Sequence, residues 1–545
     1  MDQLTQLADD FYDHAMSESP LSLMWVGKLT HLDKWDDFSD VGVEANKAAN
    51  LAFVERAKSV DPGDDPQRQA LHAVITNAAL ASAKGAQWDT PLFHVNPKMG
   101  AFEMVLSFVD NFELITAEHG EAYLTKLRTL PQALAQIAQV AHDYADRGIV
   151  ALETHLIATA DSVAAYLATP AGSEERLCAQ QAPKDFDADA AAAWRETRDD
   201  LVASVVRPGL AAYEASLRDL AKRGMPDDKP GLCHLPGGEQ VYRDKIWANL
   251  LMDKDPREVH ELGLQVVAKL EDEYREIAGP LLGTTDISEI YSRLRDDESL
   301  KYRHEEVLIA EAELALKKAD QAAPDYFRTV PVTPCLAEAS HFGAMAYYSS
   351  PDPETGKVGK FYFNTANPAA WSTYELEAIV FHEGIPGHHL QLALHAENTA
   401  LHKVQREIHN TAYAEGWGLY TERLADEMGL YSSQLSRVGM LSADSLRAGR
   451  LVVDTGIHAL GWSREQAIQY LLDHSPMDRA HVEQEIDRYI GLPGQALSYM
   501  IGRLEIMSIR DEAAKLPGYD IRDFHDAVLK YGAVPLPTLR AQVLG

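Results

Sequence analysis

The stretch EAIVFHEGIPGHHLQLALH, residues 377–395, places several imidazoles and a carboxylate close together along the chain. His382 and Glu383 are adjacent and follow an apolar run. His388 and His389 come next, and the downstream stretch NTAYAEGWGLYTERLADEMG carries Glu415 and Glu422. Neutral imidazoles with a carboxylate are the donors of a catalytic zinc site, which keeps one position open for water. A carboxylate beside such a site, here Glu383, can take a proton from a water whose pKa the metal lowers. One zinc ion is the expected cofactor, although manganese, cobalt and iron accept the same donors.

The spacing is unusual. Two histidines four apart on a helix share a face, but here six residues separate His382 from His388. On a regular helix that step rotates by roughly 240° net, so His388 would point away. Seven residues, to His389, return to within about 20° but lie roughly 10.5 Å along the axis. Pro386 cannot donate to the helical ladder and Gly387 bends freely. A break at Ile385-Pro386-Gly387 therefore brings His388 beside His382. His388 is preferred to His389 as the ligand, and both stay open. Glu422, two turns beyond Glu415, is its rival or a supporting partner.

Other residues are candidates for helping the reaction. Arg447, Arg450, Asp454 and His458 lie three and four apart and so share a helix face. They form either a surface salt-bridge stripe or a polar wall on the site. In the second case Arg450 would hold a substrate carboxylate, and His458 would polarise the reacting carbonyl. Tyr499 would either donate to the developing oxyanion or, as a lone tyrosine in an apolar helix, belong to the core. Tyr347 and Tyr348 lie on a strand that offers an edge for an extended peptide. His395, His402 and His409 continue at intervals of seven and read as scattered surface histidines.

The motif H-E-G-I-P-G-H-H-L-Q followed by A-E-G-W-G-L-Y resembles the bacterial family known as domain of unknown function 885. The resemblance continues through RLVVDTGIHALGW and through PGQALSYMIG, residues 493–502. That family is similar to zinc metallopeptidases of the gluzincin type, including the angiotensin-converting-enzyme, thimet-oligopeptidase and carboxypeptidase Taq groups. The resemblance implies a mainly helical fold and peptide hydrolysis. His382, His388 and Glu415 would then be zinc ligands and Glu383 the general base. Two residues more than the usual H-E-x-x-H spacing separate the histidines.

Composition sets the frame. The chain has 545 residues, with 83 acidic against 50 basic side chains, for a net charge of −33. That balance argues against nucleic acid and anionic membranes as partners. A peptide or small-molecule substrate is expected, and the oligomeric state is open. Three scattered cysteines rule out a disulfide framework or a thiolate zinc site. The N-terminus shows no signal-peptide pattern, and no apolar run is long enough to span a bilayer, so a cytoplasmic location is expected. No G-x-S-x-G, G-x-x-x-x-G-K-[ST] or G-x-G-x-x-G motif occurs.

Apolar residues three and four apart predict helices over 1–85, 120–168, 187–222 and 256–320. Strands are expected in Pro91–Phe112 and as a hairpin over Gly343–Thr365. The expected architecture is mainly α. A helical portion, 1–330, precedes a catalytic portion, 331–545, with a small antiparallel sheet near the site. The boundary is soft, and the two portions can interleave as one unit. The expected function is a zinc-dependent peptidase acting on short peptides. A metal-dependent amidase or esterase, or a non-catalytic binding protein on the same fold, are the rivals.

Overall fold

The computed structural model describes residues 2–545 except 26–27, 108, 110–111, 173–174, 342–344, 354–355 and 409. The chain is mainly helical with one small sheet. Residues 1–85 form Gln3–Glu18, Pro20–Trp25, Asp40–Lys58 and Pro66–Gly85, as their periodicity predicts. A second group contains α1 (Ala117–Ala145), α2 (Glu153–Ala168) and α3 (Arg207–Ala221), which enclose an apolar core of their own. α4 (Pro256–Leu282) and α5 (Glu305–Ala322) lead to the sheet. The Gly/Pro-rich stretches near 168–185, 224–239 and 321–335 fall between helices.

The sheet has three strands, β1 (Cys335–Ser340), β2 (Ala346–Ser349) and β3 (Gly359–Asn364), in the order β1-β3-β2. β2 pairs antiparallel with β3, placing Tyr348 opposite Phe361 and Tyr347 opposite Tyr362. This is the expected hairpin, although residues 342–344 of that expectation lie outside the described residues. β1 runs parallel to β3, so the sheet is mixed and not purely antiparallel. Along β3, Phe361 and Phe363 turn into the core while Lys360 and Tyr362 face the other way.

The described residues of Pro91–Phe112 form no strand, and residues 108 and 110–111 of that expectation lie outside the described residues. Residues 89–93 form a single π-helical turn and Ala101–Ser107 is an α-helix. The Asn96 side chain accepts from the amides of Lys98 and Met99, closing a turn between them. The aromatic content that suggested pairing instead fills the N-terminal core, where Phe102 is buried.

After the sheet come α6 (Leu376–Glu383), α7 (His388–Glu397), α8 (Thr411–Glu427), α9 (Gln434–Leu460) and α10 (Ser498–Ala513). The largest apolar core runs from Leu4 to Leu539, drawing members from both sides of residue 330. α9 lies along α4 and is buried on nearly every side. Its polar residues therefore need partners. Asp444 accepts from Arg423 and Arg503, and Asp454 accepts from the Tyr242 hydroxyl at 2.6 Å. No helix among the described residues is long and apolar enough to cross a membrane.

Two buried histidines make the fold acid-sensitive. The Nδ1 of His458 accepts from the Leu232 amide while its Nε2–H donates to the Tyr489 carbonyl. His525 is fixed likewise between the Tyr326 carbonyl and the Tyr420 hydroxyl. Burial holds His458 down to about 4 and His525 down to about 3. Both folded values lie below the ordinary imidazole value, so this stability is present above about pH 6.5 and is lost as pH falls toward 4. The unfolding free energy from urea titration, and with it the urea midpoint, should fall between pH 6.5 and 5.5, by about 1 kcal/mol per histidine, with proton uptake on unfolding. An unchanged midpoint over that interval would contradict these assignments.

Candidate metal centre

α6 ends at Glu383, and α7 begins at His388. Between them Gly384 and Gly387 carry ψ values of −123° and −130°, far from helical. A Cβ on Gly387 would lie 1.9 Å from the His382 carbonyl oxygen, so only glycine allows this close turn. The break is clamped from α8. The Trp417 indole N–H donates to the carbonyls of Pro386 and Gly387 at 3.1 and 3.2 Å. The Pro386 carbonyl, which left the helical ladder, is thus satisfied by a fully buried side chain, and the Gly387 carbonyl also accepts from the Gln391 amide. Trp417→Phe should cost about 1–3 kcal/mol by leaving the buried Pro386 carbonyl without a donor among the described residues. Urea unfolding of the variant measures this, and an unchanged midpoint would show that the clamp does not hold the break.

The consequence is that the two imidazoles meet. The rings of His382 and His388 stand 4.7 Å apart at 85°. Glu415, on α8, brings its Oε2 to 3.5 Å from the Nε2 of each histidine. One donor atom from each of the three residues lies within 4.8 Å of the other two. A separation of 3.5 Å is long for a hydrogen bond. It is close to the roughly 3.4 Å between two ligands of a tetrahedral zinc ion with bonds of about 2.1 Å. The donor set therefore fits zinc.

His382 is aimed by its other nitrogen. Its Nδ1–H donates to Glu422 Oε1 at 2.8 Å, which leaves Nε2 as the atom that faces Glu415 and His388. A carboxylate behind a ligating histidine is the usual support of such a centre. Glu422 is therefore the orienting partner, and Glu415 faces both histidines. Gly418, between them on α8, lets the ring lie against the helix, because a Cβ there would meet His382 Cε1 at 2.7 Å. The Nδ1 of His388 is buried with no hydrogen-bond partner among the described residues.

Burial alone would lower the pKa of His382. The carboxylates of Glu415, Glu422 and Glu383 outweigh it and hold the ring at about 9. Burial would push Glu415 up, but the two imidazoles hold it well below the ordinary carboxylate range. The pocket thus carries more negative charge than its own imidazoles neutralise, which suits a divalent cation.

Residues 20–543 match the family model of a bacterial protein of unknown function, DUF885. The chain belongs to the DUF885 family. A crystal structure of a candidate lipoprotein from Colwellia psychrerythraea is similar to this DUF885 chain, with 24% identity and a TM-score of 0.91. That likeness covers 99% of this chain and 98% of the other. A candidate lipoprotein of unknown function from Shewanella oneidensis is 19% identical, with a TM-score of 0.76, over 99% and 100% of the two chains. At these identities the likeness speaks to the fold. No curated protein matches the chain.

The remaining candidates of this DUF885 protein fall in different places. His389 is fully buried and is not at the cluster. Its Nε2–H donates to the Thr333 carbonyl, and its Nδ1 accepts from the Tyr348 hydroxyl at 2.8 Å. Tyr348 thereby holds the sheet to α7, and its hydroxyl is not free for substrate. Tyr347 points to the other face of β2 and stacks on Tyr362 at 4.8 Å. His458, with both ring nitrogens engaged by backbone groups, has none left to polarise a carbonyl. Arg450 donates to Tyr489 and Glu485. His395 is buried and bonds the Leu529 carbonyl, His402 pairs with Asp9, and His409 lies outside the described residues.

Tyr499 does reach the centre. Its ring lies 6.5 Å from that of His382, nearly parallel to it. Burial, with the Glu415 charge, raises its pKa and keeps it a neutral donor. Glu383, the last residue of α6, is half-buried and makes no hydrogen bond among the described residues.

Proposed function

We propose that this DUF885 chain is a zinc-dependent hydrolase, a peptidase that cleaves short peptides. The observation that carries the reading is the convergence of His382, His388 and Glu415 beside a free carboxylate, Glu383. Zinc held by those three residues would supply Lewis-acid polarisation and a more acidic water. Glu383 takes the proton of the attacking water and returns it to the leaving nitrogen. Tyr499 donates its phenol hydrogen to the carbonyl oxygen as negative charge grows there. Glu422 keeps His382 in the tautomer that presents Nε2. The place of β2 at the end of the strand order supports an extended peptide as substrate, because a peptide can add as a further strand at a sheet edge.

The test is turnover of a panel of short peptides, esters and amides by the purified protein. Hydrolysis of peptides should stop with a chelator and return with one equivalent of zinc. Hydrolysis of esters alone would move the assignment to an esterase, and bound zinc without any turnover would make the chain a binding protein. Two fold relatives are described as candidate lipoproteins, which sets an envelope location against the cytoplasmic one expected above. Cell fractionation decides between them.

A further inference from the structure

One tyrosine ring away from the metal centre lies a group of arginines that the proposed reaction does not use. The Cζ of Arg450 stands 4.4 Å from the Tyr499 ring centroid and that of Arg447 stands 5.9 Å from it. Arg450 and Arg488 share one carboxylate, that of Glu485, at 2.8 and 3.0 Å. Arg447 has no carboxylate partner among the described residues. Its Nη1 reaches only the Ala443 carbonyl on its own helix, at 3.3 Å.

The group is unsatisfied as well as cationic. Arg450 is 5% exposed, and its Nη1 is buried with no hydrogen-bond partner among the described residues. The Nε of Arg447 is buried and unpartnered in the same way. Buried guanidinium N–H groups without acceptors are costly, and native chains rarely leave them so. Among the described residues the side chains of Arg447, Arg450 and Arg488 between them hydrogen-bond a single carboxylate, that of Glu485. A guanidinium fork matches a carboxylate in shape and charge.

We propose that Arg447 and Arg450 bind the free α-carboxylate of the peptide, so that the centre cuts near the C-terminal end of its substrate. The inference rests on the hydrolase reading of the metal centre and names its substrate class. An extended residue spans about 3.3–3.6 Å. The separations of 6.5 Å from the His382 ring to the Tyr499 ring and 4.4 Å from the Tyr499 ring to Arg450 together match at most about three extended residues between the cut and the carboxylate. Water adds across the scissile C–N bond, its OH to the carbonyl carbon and its H to the leaving nitrogen. The fragment released on the amine side is the one that carries the bound carboxylate.

The experiment is calorimetry of a tetrapeptide and its C-terminal amide with zinc-loaded Glu383→Gln protein, which binds without turnover. The free acid should bind at least about tenfold more tightly than the amide, as expected for charge-assisted hydrogen bonds. Adding Arg447→Gln should bring the two affinities to within about threefold, with folding checked by circular dichroism. Equal affinities in the first protein overturn the inference, as does a preference that survives the second substitution. Restored affinity from a glutamate side chain within the amide peptide would overturn the assignment to the α-carboxylate. Since these readings need no catalysis, absence of peptide hydrolysis in the unsubstituted protein counts against the proposed function alone. Equal binding beside intact hydrolysis counts against the arginine site alone.

Discussion

Replacing Glu383 by glutamine is expected to lower kcat/KM on a cleavable peptide by about 10²–10⁴-fold while one equivalent of zinc stays bound. The amide keeps the size and most of the polarity of the carboxylate but cannot accept the proton of the attacking water. Glu383 contributes no donor atom to the His382, His388 and Glu415 group, so removing its charge leaves the metal's ligands in place. It also makes no structural hydrogen bond among the described residues, so the fold loses nothing. Metal analysis and steady-state kinetics on the same sample separate the two effects. A variant that keeps full activity would remove Glu383 from the proton path. A variant that loses zinc along with activity would show that the carboxylate acts on the metal and not on water.

Alanine at Glu415 should have the opposite signature, with metal lost first and activity lost as its consequence. The Glu415 carboxylate faces both imidazoles at 3.5 Å and is the one anionic member of the donor group. Two neutral imidazoles remain in the variant, with no charge to balance a divalent ion. Zinc at one hundred times its dissociation constant stabilises a native protein by about 2.7 kcal/mol. That increment should appear on adding zinc to the unsubstituted chain and vanish in Glu415→Ala. Thermal unfolding with and without zinc measures it. An equal zinc-dependent shift in both proteins would mean that the ion binds elsewhere.

The sequence made the donors visible but not their geometry. His382, His388 and Glu415 were readable as residue types, and Pro386-Gly387 announced a break. What holds that break was not readable. Trp417 looks like one more aromatic of a half-buried helix until its indole is seen against the carbonyls of Pro386 and Gly387, 31 and 30 residues away in the chain. The choice between Glu415 and Glu422 likewise depends on which side of His382 each one meets. Helical spacing puts both on one face and cannot separate them.

The misreadings have physical causes too. CLAEAS, the β1 segment, has no β-branched residue and four good helix formers, Leu336, Ala337, Glu338 and Ala339, so its strand state comes from pairing with β3 and not from local preference. Periodicity along α9 correctly groups Arg447, Arg450, Asp454 and His458, but it says nothing about what covers that face. The cover proves to be protein: His458 and Asp454 are tied to neighbouring backbone and to Tyr242, while the two arginines come within reach of Tyr499.

The most direct measurement is an anomalous difference map collected at the zinc edge from crystals of the protein grown with excess zinc. The account predicts one strong peak between the Nε2 atoms of His382 and His388 and the Glu415 carboxylate, with Glu422 still bonded to His382 Nδ1. A map with no density there, or a peak held by other residues, would contradict it.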